Sequence, residues 1–315
     1  MASFLLALNL IIPMLVYMAA GVAARKGRIM QEQAFKQLNE MVFRIMLPLS
    51  LFLDIYQADL SSIVQPRLFL LLAAAILLIF GAAWWLVPRF VPNRSDAATI
   101  VQGIYRSNFV LYASAISRSL CGEAGAAVTA ALAVMVVPLF NIMAVILFES
   151  MRGGKTDLRR LLLRILQNPL VEAGILGATA NLFGIRIPSL LVTPLNVLGN
   201  AATPIALLVL GGLLSWNSLA SHKGYLFVTV AFRLVVVPLL ALPLFIALGY
   251  RNVELIAIFA AFATPMGISS TPMAQSMGGN GELAGEMVAV SAVCSVLTLF
   301  LFVWALAAMG YISSP

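Results

Sequence analysis

Ionisable side chains are what this sequence has least of. Only 10% of its 315 residues are Asp, Glu, Lys or Arg, with one histidine and two cysteines. With 62% hydrophobic residues and a mean hydropathy of +1.02, the chain is far more apolar than a soluble domain, where about 45–50% is usual. The scarcity excludes several chemistries. Cys121 and Cys294 are too far apart for a CxxC pair, His222 falls in a predicted loop, and no HExxH or paired-carboxylate motif occurs, so no metal site or Cys/His nucleophile is expected. Gly267-Ile268-Ser269-Ser270 is only faintly like a serine-protease turn, its histidine would have to be His222, and the chain is not expected to be an enzyme. The net charge of +7 does not point to nucleic acid, because the Lys and Arg sit in short clusters between apolar runs.

Apolar runs of about 20 residues, enough to cross roughly 30 Å of hydrocarbon, are what the chain does contain. They predict an all-α integral membrane protein of ten transmembrane helices, near 3–24, 36–56, 67–88, 96–117, 124–149, 162–182, 191–214, 224–248, 252–275 and 283–309. The first run has no basic residue before it and is long for a signal-peptide core, so it is expected to be retained. Loops on one side hold twelve Lys and Arg, from Arg25 to Lys223, against four on the other: Arg67, Arg118, Arg186 and Arg251. The positive-inside rule puts the first set in the cytoplasm and both termini outside. Met30 to Phe43 reads as an amphipathic lead-in at the inner surface, with Phe35, Leu38, Met41 and Val42 at helical spacing.

The basic stretch 152–164 divides the chain into a first five-helix repeat, 1–151, and a second, 165–315. Five is odd, so the second half enters from the opposite face, as in an inverted-topology repeat. Pro13 and Pro169, Gly21 and Gly177, and Pro48 and Pro204 are each 156 apart, and at that shift Asn108 falls on Thr264. The fourth and ninth helices become partners. The ninth carries Pro265, Gly267 and Pro272 where the bilayer centre should be, and a helix cannot pass Thr264-Pro265-Met266-Gly267 unbroken. Non-helical backbone at that depth is tolerated only in protein or against a water-filled cavity. Met46-Leu47-Pro48-Leu49-Ser50 predicts another mid-membrane break in the second helix, and Ser95 or Asp96 is the expected N-cap of the fourth. That helix carries Arg106-Ser107-Asn108 half-way across, where an arginine costs at least about 2.5–3.5 kcal/mol unless it faces a polar interior.

Two broken, crossing helices bring helix N-terminal N–H groups and C-terminal carbonyls to one point. Asn108, Ser107, Thr264, Pro265, Gly267, Ser269, Ser270, Pro48 and Ser50 would line a substrate site there, and Arg106 would add a full positive charge. The N-termini and arginine suit a carboxylate. Carbonyls and hydroxyls suit a coupling cation, H+ or Na+. Glu172, about nine residues into the sixth helix, is the candidate for proton coupling, with Arg233 as its alternative structural partner. Asp54 and Glu286 read as interfacial, Arg233 as structural, and Gly174, Gly177, Gly211 and Gly212 as packing positions.

Over essentially its whole length the sequence resembles the auxin efflux carrier family, whose bacterial members include malate and malonate permeases. The resemblance lies in GVAARKGR from Gly21 with Leu38-Asn39, in LPLSLF from Leu47, in Arg106-Ser107-Asn108, in Gln167-Asn168-Pro169-Leu170, in RLVVVPL from Arg233, in Thr264-Pro265-Met266-Gly267 and in Ser291 to Leu299. It implies a scaffold of helices 1, 2, 6 and 7, transport helices 3–5 and 8–10, a homodimer, elevator-type alternating access and a place in the bacterial inner (cytoplasmic) membrane. It also implies that Asn108 is the crossover asparagine and Pro265 the crossover proline. Related carriers often place a proline shortly after that asparagine, but here Phe-Val-Leu-Tyr follows, so the break in the fourth helix is expected either to be softer or to be maintained by Ser107 and Ser114 competing for backbone bonds. The expected function is a secondary transporter for a small organic anion, a mono- or dicarboxylate, with no cofactor. The alternatives are a channel or substrate-sensing protein on the same fold, or a carrier for an aromatic or amphiphilic acid or a neutral solute.

Overall fold

The computed structural model describes residues 2–57, 66–151, 163, 166–214 and 221–312. Among these the chain is helical, and an isolated antiparallel bridge joins Ser107 and Met266. The predicted linker 152–164, apart from residue 163, and the side chain of Ser114 lie outside the described residues. Among the described residues five helical stretches are long and apolar enough to span a membrane: Pro66–Phe90, Ala127–Met151, Ser189–Leu213, Lys223–Ala247 and Gly281–Ala308.

Helix α1, Ala2–Lys26, is followed by α2, Glu32–Met41. The lead-in is amphipathic as expected, but its buried face runs through Phe35, Asn39 and Val42, whereas Met41 is exposed. Pro48 does not interrupt the helix. A π-turn at Val42–Met46 joins α2 to α3, Leu47–Tyr56, with Leu47 N–H reaching back five residues to the Val42 carbonyl. The wider turn absorbs the proline's missing donor and its ring, so the chain bends through a position where a break was expected. Pro238 is handled in the same way after the π-turn Phe232–Val236.

Pro66–Phe90 (α4) leads to α5, Arg94–Tyr105, whose N-cap is Asn93 and neither Ser95 nor Asp96: Asn93 Oδ1 accepts from the Ser95 N–H at 2.9 Å and from Asp96 at 3.3 Å. Next comes α6, Phe109–Met151, two helical pieces meeting at a sharp turn where Gly122 has φ 63°, a left-handed backbone that glycine adopts without a Cβ clash. The sixth predicted helix begins later than expected. Asn168 caps α7, Pro169–Leu182, by accepting from the Leu170 N–H at 3.0 Å, with the proline in the first turn where it has no bond to lose. Glu172 therefore lies in a first turn, exposed, and not at a mid-helix position.

Helices α8, Ser189–Asn200, and α9, Ala202–Leu213, follow. Then come α10, Lys223–Ala231, and α11, Val237–Ala247. The chain ends with α12, Asn252–Ala263, α13, Ser270–Met277, and α14, Gly281–Ala308. Helix α1 packs on α9, and α3 on α7 and α8; α4 packs on α5, and α6 on α12. Glycines set the first pair. A Cβ on Gly21 would stand 1.9 Å from the Leu208 carbonyl oxygen, and one on Gly211 2.0 Å from that of Met18. On α7, a Cβ on Gly177 would meet the Phe52 carbonyl at 2.8 Å, whereas one on Gly174 would find Ile55 at an ordinary 3.9 Å. Gly21→Ala is therefore expected to destabilise the protein by about 1–3 kcal/mol through overpacking. Gly174→Ala should stay within about 1 kcal/mol of the native protein, or gain slightly from helix propensity. Thermal unfolding of both variants in the same detergent checks the contrast.

Candidate functional site

Both predicted breaks are present, and they cross. Helix α5 stops at Tyr105, where Arg106 turns extended (φ −86°, ψ 105°), and α12 stops at Ala263, where Thr264 does the same (φ −79°, ψ 156°). Around the Ser107–Met266 bridge, Asn108 N–H donates to the Pro265 carbonyl at 2.8 Å and Gly267 N–H to the Arg106 carbonyl at 3.2 Å. The break after α5 is complete without a proline. Each strand supplies the bonds that the other's helix gave up, so the interruption is a tertiary product.

At the crossing, carbonyls at two helix ends lose their donors. Ile104 and Tyr105 would have been served by Asn108 and Phe109, and Ala261 by residue 265, a proline with no N–H. Arg233, 1% exposed, takes all of them: Nη1 donates to Ile104 and Tyr105, both at 3.1 Å, Nη2 to Ala261 at 3.0 Å, and Nε to Thr264 at 2.9 Å. One cation thus faces the negative ends of two half-helix dipoles. Arg233 is not a partner of Glu172.

The two positive ends are left for the other side of the crossing. A cavity of about 110 Å³ is lined there by Arg106, Ser107, Asn108 and Phe109 at the start of α6, and by Gly267, Ile268 and Ser269 at the start of α13. Its far wall is Leu47, Ser50 and Asp54 of α3 with Leu170, Ala202 and Thr203. Arg106, 5% exposed, donates to the Phe140 carbonyl at 3.1 Å, and to Asn141 Oδ1 and Ser269 Oγ, both at 2.7 Å. These acceptors are neutral, so the guanidinium's charge is solvated but not cancelled. Ser107 Oγ and Asn108 Nδ2 have no hydrogen-bond partner among the described residues. Buried polar atoms of that kind are costly until a ligand or water meets them.

Of the expected site residues, Arg106, Ser107, Asn108, Gly267, Ser269 and Ser50 line this cavity. Thr264, Pro265, Ser270 and Pro48 do not. Thr264 and Ser270 are fully buried; Thr264 Oγ1 donates to Ala260 and its carbonyl serves Arg233, while Pro265 works through its carbonyl and its missing N–H. Pro48 is in the first turn of α3. Glu172 is not part of the lining. Asp54, read from the sequence as interfacial, is on the cavity wall. Asn141 was missed altogether, although a lone asparagine inside the apolar span Ala127–Met151 was a usable signal.

Comparison with known proteins places the chain among membrane transporters. A family model described as "Membrane transport protein" matches residues 6–303. The chain belongs to this family, the auxin efflux carriers and related membrane transporters. Among its relatives is an "Uncharacterized transporter" of Methanothermobacter thermautotrophicus, 22% identical over 296 residues that cover 92% of this chain and 95% of the relative. As a member of the membrane transport protein family it is a multi-pass membrane transporter and not a soluble enzyme. For such a protein, a polar cavity walled by two interrupted helices is the natural place to hold a solute.

Proposed function

We propose that this membrane transport protein is a secondary transporter for a small organic anion, a mono- or dicarboxylate such as malate or malonate. It carries the anion across the cytoplasmic membrane by elevator-type alternating access. The observation that carries the reading is Arg106, a buried guanidinium bonded to neutral acceptors on the wall of a cavity where two half-helices begin. The first amides of α6 have no partners within the helix, and they add partial positive charge at the same point. A carboxylate supplies what this cavity lacks. Its volume of about 110 Å³ is well below the 300–1,000 Å³ of pockets for drug-sized ligands, which favours a small acid over an aromatic or amphiphilic one.

The inverted repeat is supported by contacts that exchange under the shift of 156. Gly21 against Leu208 becomes Gly177 against Phe52, and Gly211 against Met18 becomes Ile55 against Gly174. Alternating access is supported by the position of the cavity, since α3, α7 and α9 form one wall and α6 with the crossing segments the other. A slide of one group past the other would re-aim the cavity. Coupling to H+ or Na+, a homodimer built on the scaffold helices, and both termini outside complete the proposal.

The test is uptake into proteoliposomes of labelled mono- and dicarboxylates under imposed proton and sodium gradients. Saturable uptake of one acid, accelerated by the same acid on the other side, is the expected result. A conductance that does not saturate would make the protein a channel, and a folded protein that moves no carboxylate would refute the substrate class. Asp54 adds a finer expectation. It puts a carboxylate on the wall opposite the guanidinium, so Asp54→Asn should lower the apparent KM for the anion by on the order of tenfold through lost like-charge repulsion. Initial-rate kinetics of that variant check it.

A further inference from the structure

A buried carboxylate stands outside the lining of the anion cavity. Glu286, in the second turn of α14, is 0% exposed, and its Oε2 lies 2.9 Å from Nδ1 of His222 at the start of α10. Its Oε1 has no hydrogen-bond partner among the described residues, and neither has Oγ1 of Thr271 in the first turn of α13. Thr271 packs beside Gly285, and both Glu286 and Thr271 line a cavity of about 410 Å³ with Gln275. An ionised carboxylate only accepts. A buried carboxylate oxygen and a buried hydroxyl oxygen, both unmet, on residues that line one cavity call for a positive species there.

Among the described residues the surrounding charges do not supply it. The same cavity is lined by the cations Arg25 and Lys36 and the acids Glu32 and Glu282. Arg25 and Lys36 both pair with Glu32, at 3.0 and 2.8 Å, and the Lys36 hydrogen bond and charge, with help from Arg25, hold the Glu32 carboxyl below the usual carboxylate range. Arg25 also donates to the Gly212 carbonyl. On the other elements around α14, Lys223 is exposed, Arg233 is committed to four carbonyls, and Asp96 accepts from Asn280. The His222 contact is made at Oε2 and leaves Oε1 unmet.

We propose that Glu286 and Thr271, with Gln275 on the same cavity wall, form a binding site for a monovalent alkali cation. A divalent ion would call for more carboxylates than one. Thr271 and Gln275 stand on the half-helix that begins at the anion cavity, so occupancy of one site steadies an element that walls the other. As the coupling-ion site of a carrier it rests on the reading above; as a cation site it stands alone.

Binding of radiolabelled sodium and of rubidium, as the probe for potassium, is measured on the full chain in lipid nanodiscs without organic acid. Saturable binding of one of the two ions is expected. Glu286→Gln abolishes it, and Thr271→Val weakens it about tenfold. The proposal is overturned if the folded protein binds neither ion, if Glu286→Gln still binds, or if Thr271→Val binds as tightly as the native chain. Should Glu286→Gln not fold, Thr271→Val decides. Cation binding that survives while no carboxylate is transported would count against the carrier reading alone.

Discussion

Replacing Arg233 with methionine is expected to destabilise the protein by about 4 kcal/mol or more, enough to abolish a stable fold in detergent. Four buried carbonyls, two at each half-helix end, would lose the side-chain donor that serves them, and each unmet group costs about 1–3 kcal/mol. The negative ends of two dipoles would also face each other without the cation between them. Methionine matches the stem of arginine and isolates the loss of the donors. Arg233→Lys should recover part of the stability, because an ammonium keeps the charge but cannot spread donors in a planar fork over both helix ends. Thermal unfolding ranks the three proteins, and a methionine variant as stable as the native chain would refute the assignment of Arg233 as the clamp.

Arg106→Gln is expected to behave in the opposite way, folding normally and losing transport. Its three bonds go to a backbone carbonyl, an amide oxygen and a hydroxyl on the cavity wall, all of which water can serve. The lost charged contact with a bound carboxylate, about 1.5–3 kcal/mol, lowers kcat/KM for uptake by about 10- to 100-fold. Asn108→Ala, which removes the unmatched Nδ2 donor, should cost about tenfold. The measurement is initial uptake rate against acid concentration, with protein amount fixed by a folded-state assay. Equal transport by both variants would leave the carrier in place and move the anion elsewhere.

The elements legible in the sequence are those set by local chemistry. Pro265 with Gly267 announced an interruption because a missing N–H cannot be supplied by neighbours along the chain. Arg106 stood out because a charge in an apolar run demands a polar surrounding, and Gly177 and Gly211 marked close approach of helices. What stayed hidden was decided by partners distant in sequence. The break after Tyr105 exists because Pro265 and Gly267 bond to Asn108 and Arg106, which no reading of residues 96–117 could supply. Pro48 looked like a second break, but a π-turn before it absorbs the ring. Glu172 looked central because the capping pair Asn168-Pro169 was not taken as a helix start. Asp54 and Glu286 were both read by distance from a helix end, yet one lines the anion cavity and the other is fully buried against His222.

The central claim, that the anion sits in the crossing cavity, is tested most directly by substrate protection of a single cysteine. In a protein whose Cys121 and Cys294 are replaced by serine, Ser50→Cys places a thiol on the cavity wall with almost no change in shape. Gln31→Cys, on the exposed lead-in before α2, serves as the control. The account predicts that the transported acid slows modification of residue 50 by a small charged thiol reagent, with a concentration dependence that matches the KM of uptake, and leaves residue 31 unaffected. Modification of residue 50 at the same rate with and without saturating acid would contradict it.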